Sequence, residues 1–129
     1  MRGVAVSRYA SDLQDIERDM GALSNKLQCG EYEYRDVKSF LQEVQEAQSL
    51  LSDLSSEAED YLEQGTPSAG EAGRLGEMLG WVDDALMPLG IAEEQLMDLA
   101  KDIRKAKYAV EAAVQLDAAC DMLTRAMER

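Results

Sequence analysis

The stretch from Ser39 to Gly73, SFLQEVQEAQSLLSDLSSEAEDYLEQGTPSAGEAG, holds eight carboxylates and neither lysine nor arginine. Their spacing says what chemistry they suit. Glu46, Asp53 and Asp60 recur at seven-residue intervals, and Asp36, Glu43 and Glu57 occupy the neighbouring heptad position. On a helix these become rows, with about 10 Å between successive members. Paired rows of carboxylates on a rigid rod imitate a phosphate backbone and attract a basic groove. Such a field speeds association and selects partners more than it adds raw affinity. The candidate partner-binding residues are therefore Glu43, Glu46, Asp53, Glu57, Asp60 and Glu63. Asp83, Asp84, Glu93 and Glu94 extend the negative region; Trp81, just off the seam of Leu75, Leu79 and Val82, reads as core packing or, beside those acids, as a candidate apolar anchor.

Other chemistries find less support. The chain has no histidine, which removes the commonest general base and the Ser/His and Cys/His pairs. Asp15 with Asp19, and Asp98 with Asp102, stand one helical turn apart, a spacing that is common on helix surfaces and names no metal. No EF-hand loop, P-loop or glycine-rich strand-to-helix turn is present. Cys29 and Cys120 lie far apart without metal-ligand spacing and read as idle thiols in a reducing compartment. The reading is a non-enzymatic protein with no cofactor, no catalytic residue and no metal site.

Charge is concentrated rather than spread. Met1–Lys38 carries seven acids and six bases, and Lys101–Arg129 five acids and six bases. Ser39–Ala100 carries fourteen acids and one base, Arg74, so the middle of the chain holds the whole excess of −13. A small domain needs only about 2 to 8 charges for solubility. The one basic run, KDIRKAK from Lys101 to Lys107, sits beside Asp98 and Asp102 at spacings that favour internal pairing. Direct nucleic-acid binding is rejected on that ground.

The elements that must carry these residues are helices. Hydrophobic residues make up 46% and aromatics only 5%, with two prolines, a balance unlike a β-sandwich or barrel. Tyr9, Leu13, Ile16, Met20, Leu23 and Leu27 form an unbroken heptad seam. Val37, Phe40, Val44, Ala47, Leu51, Leu54, Ala58 and Tyr61 form a second, widened by Leu41, Leu50 and Leu62. GTPSAGEAG then breaks the pattern, with Thr66-Pro67 or Ser68 and Glu71 as the next helix start. Leu75, Leu79, Val82, Leu86 and Leu89 follow on one face. Pro88 and Gly90 favour a turn, with a kinked continuation into one long third-plus-fourth helix as the rival. The last seam runs through Leu96, Leu99, Ile103, Ala106, Val110, Ala113 and Leu116 to Met127, with a stammer at Ala113–Leu116.

The predicted fold is all-α: an antiparallel helical bundle of three to four helices with a long C-terminal helix and coiled-coil-like packing, one domain over 1–129. Its helices are expected over about 7–29, 33–64, 67–87 and 91–127, with Ser7 and Gly30 bounding the first. The last, about 55 Å long, exceeds what the first and third can cover, and its surplus would project, pair with the second helix or meet another molecule. Gly70, Gly73, Gly76 and Gly80 recur along one side of the third helix, where they imply a frayed segment, a groove for close helix approach, or a segment ordered by a partner. Tyr32 and Tyr34 are a weaker aromatic patch.

No window reaches the ~20 apolar residues of a membrane span, and no signal-peptide core follows Met1. The expectation is a cytoplasmic interaction module that docks on a basic partner, in its sharpest form an inhibitor occluding a nucleic-acid-binding groove. The alternative is a self-associating structural subunit or assembly chaperone, a homo-oligomer built on the long last helix.

Overall fold

The computed structural model describes residues 4–127, with side chains from residue 9 onward. It contains α1 (Val4–Cys29), α2 (Tyr34–Gln64), α3 (Ala69–Lys101) and α4 (Ala106–Met127), and no strand among the described residues. The helices run alternately up and down through the four-residue connections 30–33, 65–68 and 102–105. None is long and apolar enough to cross a membrane.

Each connection has a local cause. After α1, Gly30 takes φ 72°, a left-handed residue that lets the Glu31 N–H reach the Lys26 carbonyl at 3.2 Å. At the start of α2 the Asp36 carboxylate accepts from the Glu33 N–H at 2.8 Å. α2 stops at Gly65, where a Cβ would stand 2.6 Å from the Tyr61 carbonyl oxygen. Ser68 caps α3 by accepting from the Glu71 N–H at 3.2 Å, so Ser68 rather than Thr66 is the start signal. α1 begins at Val4, which puts Ser7 inside the helix and not at its cap.

The second half of the chain departs from expectation. α3 continues through Pro88 for 33 residues, and the break falls at 102–105 instead. Pro88 is buried, with Ala85, Leu89, Ala92 and Leu96 fully enclosed on either side of it. Burial of that whole stripe outweighs one lost backbone hydrogen bond and the ring's conflict with the preceding turn. At the actual break Asp102 is extended (φ −148°, ψ 92°), and its carboxylate accepts from the Arg104 N–H at 3.2 Å. This local bond competes with the helical ladder and ends it. The turn also resets the helical phase: Val110, expected on the seam, is 53% exposed, while Ala109, Ala112, Ala113 and Leu116 are buried. The stammer at Ala113–Leu116 is the sequence trace of that reset. α4 is 22 residues long, about 33 Å, so the surplus length expected of the last helix does not exist.

The seams of α1 and α2 face inward as read, from Tyr9 to Leu27 and from Val37 to Ala58. The packing around the bundle is uneven. α3 packs along both α4 and α2, and α4 packs along α1, but α1 and α2 barely meet. The core-facing residues of α4 are largely alanines, Ala109, Ala112, Ala113, Ala119 and Ala126, so both neighbours approach it closely. The α1–α2 side carries Ile16, Met20, Phe40 and Leu54, whose bulk holds the two axes apart.

Among the described residues, no buried side-chain nitrogen or oxygen is left without a hydrogen-bond partner. Ser24, fully enclosed, donates to Asp117 Oδ1 at 2.6 Å, and Gln28 Nε2 bridges both residues. This clasp joins α1 to α4. Gln45 and Gln48 donate to the two oxygens of Glu93 and join α2 to α3. Glu71 is buried in the first turn of α3, where the helix dipole favours a carboxylate, and Tyr61 donates its hydroxyl to it.

Candidate docking surface on the acidic face

α2 carries the predicted carboxylates on its outer side. Glu43, Glu46, Asp53, Glu57, Asp60 and Glu63 are all exposed. Among the described residues, Glu46, Asp53, Asp60 and Glu63 form no ion pair. In a helix of 31 residues with its bases confined to Arg35 and Lys38 in the first two turns, these four carboxylates have no base of their own helix nearby.

The open edge between α1 and α2 adds shape to that charge. A depression of about 200 Å³ lies there, lined by Asp12, Asp15, Ile16, Asp19, Leu50 and Leu54. It continues into a smaller one of about 80 Å³ bounded by Met20, Glu43, Glu46 and Ala47. Beyond Leu50, on the flank of α2 alone, a wider hollow of about 360 Å³ is open to solvent and cannot enclose a ligand. The floor of the cleft is apolar and its rims are acidic. Leu50 sits in the middle of it, 56% exposed.

The rim electrostatics follow from this geometry. Burial raises the Glu43 carboxyl above its ordinary range, and Asp19 and Glu46 add to the rise while Lys26 opposes it. Arg18 pairs with Asp15 at 3.4 Å and with Asp19 at 3.9 Å, yet its side chain is 71% exposed. The cleft thus holds an excess of negative charge that its two nearest bases do not cancel.

The remaining predicted site residues lie elsewhere. Asp83, Asp84 and Glu94 are exposed on α3, which packs along α2 and is tied to it by the Gln45–Gln48–Glu93 clasp but lines no part of the cleft. Glu93 is half-buried and already bonded within the bundle. Trp81 is half-buried against the core, and the Arg125 guanidinium covers its ring at 5.3 Å while pairing with Asp121. Tyr32 packs against the core, and Tyr34 is exposed under the Lys38 ammonium. Of the four bases in the 101–107 run, Lys101 pairs with Asp98 and Arg104 with Asp102, while Lys105 and Lys107 form no ion pair among the described residues and Lys107 lies over the Tyr108 ring.

Metal and thiol chemistry find no assembled site. Asp15 and Asp19 share Arg18, and no group of three acidic or sulfur side chains converges among the described residues. The Cys120 thiol is half-buried, donates to the Glu17 carbonyl at 3.4 Å, and is pushed up to about 12 by burial. Cys29 is exposed.

The glycine row on α3 serves no close packing. A Cβ at Gly70, Gly73, Gly76 or Gly80 would meet no atom within 4 Å, so the groove reading of that row is overturned.

Sequence reasoning did not find the α1 rim, Asp12, Asp15 and Asp19, as part of the site. Two signals were present. Leu50 interrupts the row Asp36, Glu43, Glu57 with an apolar residue, and the three aspartates flank Ile16 on one side of the α1 seam. No protein-family model, curated protein or solved structure matches this chain. What can be said of its class rests on fold and surface: an all-α bundle with one acidic, partly open side.

Proposed function

We propose that this protein is a non-enzymatic docking module that binds a basic surface of another protein through the acidic face of α2. The observation that carries the reading is the row Glu46, Asp53 and Asp60, exposed along one helix and, among the described residues, without ion-pair partners. A rigid helix fixes the spacing of these charges before binding, which keeps the entropic cost of ordering them low. In its sharpest form the partner is a nucleic-acid-binding protein whose groove is occluded by the carboxylate rows. Self-association through a surplus of the last helix is the weaker reading, because α4 has no surplus.

The test is capture from a lysate of the host with two baits in parallel, the native protein and the Glu46→Lys, Asp53→Lys, Asp60→Lys variant. The reading expects a basic protein held by the first bait and absent from the second. Nucleic acid should then displace that protein from the native bait. Identical capture by both baits would refute the reading.

A further inference from the structure

We infer that the α1–α2 cleft seats one amphipathic helix of a partner protein, apolar on one side and carrying lysine or arginine along both edges. The inference rests on the acidic docking reading and narrows it from a charged face to a shaped site.

The bundle leaves one lateral position unfilled. α3 is flanked on both sides and α4 is flanked on both sides, while α1 and α2 hardly touch. Leu50, at the centre of α2, stands exposed over Ile16 and Leu54 instead of being covered. The two half-open depressions of about 200 and 80 Å³ fall below the roughly 300–1,000 Å³ of small-ligand sites. They have room for side chains inserted from a neighbouring element. From Glu43 to Leu54 the cleft runs for about 16 Å, three turns of helix. That length suits anchors at i, i+3 or i+4, and i+7 laid into a groove.

Charge selects the occupant. Asp12, Asp15 and Asp19 line one rim and Glu43 and Glu46 the other, against Arg18 and Lys26. A helix with bases on both edges would meet both rims while its apolar side covered Leu50. A second copy of the chain fits poorly, since each copy carries −13 and repels the other. Its one basic run is interrupted by the 102–105 turn, so it offers no basic helix of the needed length.

The probes are a synthetic amphipathic helix of leucine, alanine and lysine and a scrambled peptide of the same composition. Their affinities are measured by fluorescence anisotropy at low and raised salt. The native protein is expected to bind the patterned peptide at least about tenfold more tightly, the yield of burying one leucine-sized contact. Both peptides should weaken with salt. Leu50→Gln, a surface change, should bring the two affinities together without moving the unfolding midpoint. Amide shifts on adding the patterned peptide should centre on Ile16, Leu50 and Leu54. Equal affinities for the native protein would overturn the cleft and leave acidic docking standing. No binding of either peptide at low salt would bring down both. A concentration-dependent dimer of the protein alone, lost in Leu50→Gln, would assign the cleft to a second copy and overturn the inference.

Discussion

Replacing Gly73, Gly76 and Gly80 together by alanine should stabilise this protein, because the glycine row costs helix stability and the fold shows no return on it. All three lie within α3, beyond its first turn, and all are exposed. An added methyl at each meets no atom within 4 Å, so no clash offsets the gain. A glycine in a helix interior costs about 0.5–1 kcal/mol relative to alanine, largely through the freedom it retains when unfolded. Three replacements should therefore add roughly 1.5–3 kcal/mol. For a chain of this size 1 kcal/mol moves the melting temperature by about 3–5 °C, so the variant should melt roughly 5–15 °C higher. Urea unfolding followed by circular dichroism checks this, with a raised midpoint and an unchanged slope. A midpoint that stays or falls would refute the reasoning. It would mean that the row is contacted, or that α3 is not helical there in solution. The variant should also keep its docking behaviour, since none of the three residues borders the acidic face of α2.

Three further outcomes follow from particular contacts. Ser24→Ala removes the fully enclosed hydroxyl that joins α1 to Asp117 and should cost about 1–3 kcal/mol in urea unfolding; a neutral result would show that the clasp is dispensable. Of the two thiols, only Cys29 should react with a disulfide reagent in the native state, because Cys120 is half-buried and its thiol is pushed up to about 12; equal reactivity of both would contradict the burial of Cys120. The Tyr61 phenol is raised above its usual value, first by its bond to Glu71 and then by burial and the Glu71 charge. A raised folded value means that its contribution is complete below the unfolded pKa and lost as pH climbs through the folded one. Stability should thus fall in the alkaline range more steeply for the native protein than for Tyr61→Phe, and absorbance titration should show that the tyrosine removed is one that ionises late.

The legible and illegible parts of this fold divide along a physical line. The seams Tyr9–Leu27 and Val37–Ala58 could be read directly, because a three–four apolar rhythm states which face of a helix is buried whatever lies opposite. The Pro88 region could not. A local rule against interior proline competed with burial of Ala85, Leu89 and Ala92, and packing decided. At Asp102 the reverse held: the apolar rhythm runs on through Ile103 and Ala106, yet one carboxylate–backbone bond ends the helix. The carboxylate rows of α2 were legible as rows. Their partnership with Asp12, Asp15 and Asp19 was not, since it depends on which helices are adjacent and how far apart bulky side chains hold them. At Trp81 the sequence left core packing and a surface anchor beside Asp83 and Asp84 both open; the fold packs it against the core with Arg125 over its ring.

The most direct test of the docking account is the salt dependence of affinity for the purified basic partner, measured for the native protein and for the Glu46→Lys, Asp53→Lys, Asp60→Lys variant. The account predicts affinity that falls steeply as salt rises, a loss of at least roughly tenfold on charge reversal at low salt, and convergence of the two proteins at high salt where the charges are screened. Affinity independent of salt and unchanged by the three reversals would contradict it.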